Sequence, residues 1–201
     1  MCYNPIRPEK KKRAIRRRLR RLGPRRVVLC EDETDLLLFP PLRACWAKRG
    51  QPAHVALTGA NARRVVFGAL NVRTGHRLFL MRPRQRGEDF RVFLQTLPWH
   101  YRGRQVVLLL DSDSAHTAGA SQHLAAQLGM ELLWLPWRCP ELNPLEALWR
   151  SGKQTICANR QYPTIDEVGE RVLVYLYWLS PYETRRKAGL LSDHCWLKSS
   201  V

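Results

Sequence analysis

The chain has 201 residues, 45% of them hydrophobic, and a formal net charge of +17 from 34 Lys and Arg against 17 Asp and Glu. That length suits one catalytic domain with short appendages, and the apolar fraction suffices for a sizeable core. No apolar run approaches the ~20 residues of a membrane span, and the basic start lacks the apolar stretch of a signal peptide. The six cysteines form no CxxC pair and no Cys/His grouping with zinc-ligand spacing. They read as reduced core thiols of an intracellular protein.

Residues 1–9, with two prolines, read as irregular. Residues 10–22, KKKRAIRRRLRRL, have helix-forming composition and stop at Gly23-Pro24. Twelve bases and one acid, Glu9, lie between Arg7 and Arg26, so this segment carries +11 of the net charge. It holds too little apolar surface to be a domain. Residues 1–25 therefore form a basic arm, 26–180 the catalytic domain and 181–201 a tail. Lys11, Lys12, Arg16, Arg17 and Arg20 are expected to bind DNA phosphates by counterion release; the competing reading is a solvated linker.

From Arg26 the pattern becomes strands. VVLCE is a short apolar run with which TDLLLFP could pair, and HVALTG and RRVVFGALNV follow. The turn Arg73-Thr74-Gly75-His76 leads into RLFLM as a hairpin. GEDFRVFLQTLPWHY spaces Phe90, Phe93, Leu94 and Leu97 along one helical face. QVVLLLD reads as a central strand buried on both sides. SAHTAGASQHLAAQLG reads as a helix closed by Gly129. ELLWLP is a strand, a helix runs from near Asn143 toward Cys157, and a last helix spans about 165–179 before a polar tail. The order is three antiparallel strands, helix, strand, helix, strand, helix. It predicts an α/β ribonuclease-H-like fold, a mixed five-stranded sheet flanked by helices.

Three acids occupy the places where such a fold builds sites. Asp32 lies in VVLCEDE, Asp111 ends VVLLLD and Glu146 lies in ELNPLEALW, 34 residues separating the last two. Carboxylates gathered there bind hard cations through oxygen, and two such ions can serve both oxygens of a phosphoryl displacement. Each acid also has an ordinary reading. Asp111 suits a helix cap or turn, with Asp113 as its nearby competitor. Asp32 sits in an acidic cluster that a solvated turn would also explain. Strand alternation puts Glu31 and Glu33 on the face opposite Asp32, and Glu33 is the next candidate. Glu146 stands third after Asn143, where it could close a capping box; Glu141 precedes that helix. His116 could orient a carboxylate, touch a phosphate, or lie on a helix surface. Arg138 and Lys153 are further candidates for DNA phosphates. Trp134 and Trp137 read as core, with base stacking the alternative.

The stretches EDETDLLLFPPLRACWAKRGQP, NARRVVFGALNVRTGHRLFL, LLLDSDSAHTA and LPWRCPELNPLEALW cover nearly all of residues 27–160. In that order they resemble the catalytic domain of bacterial insertion-sequence transposases, the six-thirty branch of the mariner-like superfamily. The resemblance implies a DDE transposase whose acids map to Asp32, Asp111 and Glu146. It implies two divalent ions, Mg²⁺ or Mn²⁺, cutting of transposon ends with water, and attack of the freed 3′ hydroxyl on target DNA. From their positions beside Asp111, and apart from the resemblance, His116 and Asp113 could support the acids from behind. Partners would be transposon-end and target DNA with further copies of the chain, in the bacterial cytoplasm at the nucleoid. Two departures stand out. Ser112 occupies a position that is Asn in many relatives. The helix-turn-helix region that relatives carry ahead of the catalytic part is not in this sequence, which suggests a catalytic half. The competing function is a DNA-binding remnant without catalysis.

Overall fold

In the computed structural model, which describes residues 6–198, Arg26–Leu37 is one unbroken strand, β1. It has a neighbouring strand on each side, the two pairings overlapping only at Leu29 and Cys30. β2 (Arg63–Asn71) runs antiparallel along one edge, with Asp32 opposite Gly68, and β4 (Gln105–Leu110) runs parallel along the other. β3 (Arg77–Arg82) and β5 (Glu131–Trp134) complete a five-stranded sheet of order β3-β2-β1-β4-β5. The expected split of β1 into two pairing segments does not occur, because its acidic middle is built into the sheet. HVALTG is not a strand either. Residues 38–62 carry no helix or strand.

Both faces of the sheet are covered, so β1 and β4 alternate between two cores rather than between core and solvent. Val27, Leu29, Phe67 and Leu108 face α2 (Gly87–His100), α3 (Ser114–Thr117) and α4 (Gly119–Gln127), where Phe90, Phe93, Leu94 and Leu97 are fully buried. Val28, Cys30 and Leu109 face α1 (Ile6–Arg20), α5 (Pro144–Gly152) and α6 (Ile165–Trp178). The single helix expected over 114–129 breaks at Ala118, whose ψ of 133° is extended. The first turn is capped separately by Asp113, which accepts from Ala115 N at 2.8 Å. Beyond Gly152 the chain passes into a π-helical turn, Lys153–Cys157.

The basic segment is a helix from Ile6 onward, so residues 6–9, expected to be irregular, are helical; the rest of that stretch, 1–5, lies outside the described residues. It is docked, not loose. Ile15 and Leu19 are buried in the core. Arg18 grips Glu131 on β5 through two nitrogens, each at 2.6 Å, and Arg26 adds a third bond at 2.9 Å. Two apolar side chains and one ion-pair cluster thus suffice where composition suggests nothing to bury. The polar tail also folds. Ser180 and Glu183 form a capping box that starts α7 (Pro181–Lys187), and Leu190 and Leu197 are buried beyond it. No disulfide joins the described cysteines; Cys30 and Cys157 are core thiols, whereas Cys45 is exposed. Among the described residues no helix is long and apolar enough to cross a membrane.

Candidate active site

The middle of β1, the end of β4 and the start of α5 converge on one cleft of about 360 Å³, lined by Asp32, Asp111 and Glu146. The three acids singled out in the sequence therefore meet in one place. Asp111 follows five buried residues at the end of β4, and its side chain is 59% exposed at the cleft. Its Oδ1 accepts from Asp113 N at 2.9 Å and from His116 Nδ1 at 2.9 Å. The His116 hydrogen bond holds this carboxyl below the usual range; burial opposes it and the Asp113 N–H assists.

Asp32 turns toward the α5 face of the sheet. Its Oδ2 accepts from the indole Nε1 of Trp149 at 3.0 Å. That ring lies over Gly68, the cross-strand partner of Asp32, where an added Cβ would stand 2.6 Å from the indole. Burial first, then the charges of Glu146 and Glu33, push the Asp32 carboxyl up to about 8, against the Trp149 hydrogen bond. Crowded carboxylates raise one another in this way when no cation lies between them.

Glu146 occupies the first turn of α5. Asn143 caps that helix, accepting from Leu145 N at 3.2 Å and donating through Nδ2 to Glu31 O at 2.7 Å. This second bond ties the start of α5 to β1. No capping box closes, because the Asn143 N–H is bonded to Pro140 O at 2.8 Å. The Glu146 carboxylate is left to the cleft.

Behind the cleft lies a cluster that composition does not announce. His116 is 1% exposed, so the surface reading of this residue fails. Its Nε2 stands 2.8 Å from Glu33 Oε1 and 3.5 Å from Glu31 Oε2, while Nδ1 faces Asp111. Carboxylates accept and the ring must donate from both nitrogens. Burial pulls its pKa down, but Glu31, Asp111 and Glu33 outweigh this and push it up to about 12. Glu31 is fully buried with no hydrogen bond to either carboxylate oxygen. Burial and the Glu33 charge hold its pKa well above the usual range, with His116 opposing. Ligand atoms of Glu31, Glu33 and His116 lie within 4.8 Å of one another. The short His116–Glu33 bond makes this trio an ion-pair cluster. The open cleft, with three sets of carboxylate oxygens and mutual repulsion to relieve, is the better fit to a hard cation.

The basic residues singled out in the sequence separate. Lys11 donates to Leu135 O at 2.9 Å, at the wall of the acid cleft. Lys12 pairs with Glu9. Arg16, Arg17 and Arg20 line a groove along α1 with Arg13 and Arg21. Arg138, at φ +55°, lies in the cleft with its guanidinium 4.2 Å from the ring centroid of Trp137. Trp137 is 63% exposed and so is not core, whereas Trp134 is partly buried and packs against the core. Lys153 lines a different groove beside Asp35 and Phe39. Asp113 caps α3 and supplies its N–H to Asp111. Trp149 escaped the sequence reading; nothing distinguishes it there from a core tryptophan.

The model of the DDE superfamily endonuclease family matches residues 27–169, most of the chain and all three acids. The chain belongs to this family. It is similar to the insertion element IS630 uncharacterized 39 kDa protein of Shigella sonnei, 27% identical over 176 residues. That alignment covers 87% of this chain and 51% of the relative, so the chain spans about half of the relative's length. Among solved structures it is similar to the Mos1 transposase paired-end complex with left transposon end, with TM-score 0.72 and 16% identity over the whole chain and 64% of that one. The Mos1 mariner paired-end complex with Mg gives TM-score 0.71 at 15% identity, again over the whole chain and 64% of that chain. The catalytic domain of Mos1 mariner transposase gives 0.67 at 14%, over the whole chain and 95% of that domain. The fold is therefore ribonuclease-H-like, as in the Mos1 catalytic domain.

Proposed function

We propose that this chain is the catalytic domain of a transposase that cuts DNA at transposon ends and joins the freed ends to target DNA. The convergence of Asp32, Asp111 and Glu146 on one cleft carries the reading. Oδ1 of Asp32, Oδ2 of Asp111 and the Glu146 carboxylate offer oxygens to two divalent ions, Mg²⁺ or Mn²⁺. Bound there, such ions lower the pKa of water and stabilise the attacking and leaving oxygens of an in-line displacement. Trp149 holds the other oxygen of Asp32, and His116 and the Asp113 N–H hold the other oxygen of Asp111, so both carboxylates are aimed before substrate arrives. No protein nucleophile is needed. First a water and then the 3′ hydroxyl attacks phosphorus, and each displaced oxygen leaves as a hydroxyl.

Arg16, Arg17, Arg20 and Arg138, with Lys11 at the cleft wall and Lys12 and Lys153 more peripheral, neutralise the DNA backbone. The partners are transposon ends, target DNA and further copies of the chain. Residues 26–180 act as the catalytic domain, with α1 as its basic flank. The test is nicking of supercoiled plasmid by the purified chain and by Asp111→Asn, with Mg²⁺, Mn²⁺ or chelator. Metal-dependent nicking that the variant loses is expected, followed by strand transfer with the element's own ends. Plasmid binding without cutting in any metal would instead favour a DNA-binding remnant.

A further inference from the structure

We infer that His116, braced by Glu33, is a positioning residue that fixes the Asp111 carboxylate from behind, so that β1 sets the placement of both aspartates. The inference rests on reading Asp111 as a cation ligand. Asp111 stands past the last residue of β4, exposed at the cleft, where a carboxylate would rotate freely unless held. Two N–H groups meet on its Oδ1, from Asp113 and His116, each at 2.9 Å. Oδ2 is the atom left for a cation.

The His116 ring is itself immobilised. Its other nitrogen is 2.8 Å from Glu33 Oε1, and the Phe90 ring packs at 4.4 Å between centroids. Glu33 belongs to β1, one residue from Asp32 and on the opposite face. A single strand therefore anchors Asp32 directly and Asp111 through a two-bond strut that passes behind the sheet. Glu31, with both oxygens buried and without hydrogen bonds, faces the same ring at 3.5 Å and adds negative charge that favours a ring donating from both nitrogens. Metal-binding sites commonly owe about 10- to 100-fold in affinity to such supporting groups.

The experiment is titration of the full chain with Mn²⁺ alone, free ion being followed by electron paramagnetic resonance, with folding checked by circular dichroism and thermal melting. His116→Ala should remain folded and bind Mn²⁺ about 10- to 100-fold more weakly. Glu33→Ala should weaken binding in the same direction, and Glu33→Gln, whose amide oxygen still accepts from the ring, should stay nearest to wild type. The double variant His116→Ala, Glu33→Ala should be no worse than His116→Ala alone, because both changes cut one strut. If His116→Ala unfolds, Glu33→Ala reads the same quantity with the ring still in place. Folded variants that bind Mn²⁺ as wild type does would overturn the inference. Wild-type protein whose Mn²⁺ binding is absent, or indifferent to Asp111→Asn, would overturn the site assignment itself and the inference with it.

Discussion

Trp149 and Asp32 are joined by a hydrogen bond that exists because residue 68 is glycine. The indole lies over the sheet position directly across from Asp32, and a Cβ there would come within 2.6 Å of ring carbons. Phe79 closes the other side, its ring centroid 5.3 Å from that of Trp149. Trp149→Phe retains most of the packing and removes the N–H. It should lower metal-dependent nicking about 10- to 100-fold with little change in melting temperature. Gly68→Ala should both overpack the site, costing about 1–3 kcal/mol in denaturant unfolding, and impair nicking. A Gly68→Ala protein with wild-type stability and cutting would show that the indole is not held in this way.

The docking of α1 is predicted to be acid-labile. Arg18, through its hydrogen bond and its charge, and then Arg26 hold the Glu131 carboxyl below its ordinary value, against partial burial. A carboxyl depressed in the folded state adds stability above its unfolded pKa and loses it as pH falls through the folded one. Melting temperature should therefore drop as pH is lowered below about 4.5, with α1 becoming sensitive to an acid-active protease over the same range. Arg18→Ala should flatten this drop and change stability little near neutral pH, as the pair is partly exposed. An identical acid profile in the variant would count against the ion pair.

How far the residues alone disclose this molecule depends on what each segment packs against. QVVLLL is apolar throughout and legible as a central strand, and the acid that ends it stands where that reading places it. The continuation of β1 through Glu31, Asp32, Glu33 and Thr34 is half legible: alternation gives the two glutamates the face opposite Asp32, but four polar residues also resemble a turn until His116 is placed beside them. His116 itself is five residues from Asp111 but 83 from Glu33, a separation no local pattern carries. The Glu146 capping alternative could be decided only by the Pro140 carbonyl that occupies the cap N–H. In the tail, Leu190 and Leu197 are single apolar residues among polar ones, and burial of each depends on the elements around it.

DNA affinity should depend on salt in proportion to the phosphates that α1 neutralises. Replacing Arg16, Arg17 and Arg20 together by Ala should reduce the slope of log K against log salt by about 0.9 for each duplex phosphate left without its cation. Fluorescence anisotropy with a short duplex at several salt concentrations measures it, in chelator so that cutting does not interfere. An unchanged slope would move the DNA path away from the α1 groove and toward Arg138 and the acid cleft.

The buried histidine has one more consequence, for folding. β1 and β4 are apolar on both faces: Val27 and Leu29 enter one core, Val28 and Cys30 the other. Hydrophobicity alone would accept their pairing shifted by one residue almost as readily as the native register, although such a shift turns every side chain to the opposite face. Shifted, Asp32 would point at Phe90 and the two glutamates would crowd the cleft beside Asp111. With Cys30 opposite Leu109, as observed, Glu33 meets His116 instead. The charged cluster thus works as an alignment key for the sheet, penalising misregistered chains before any DNA is bound.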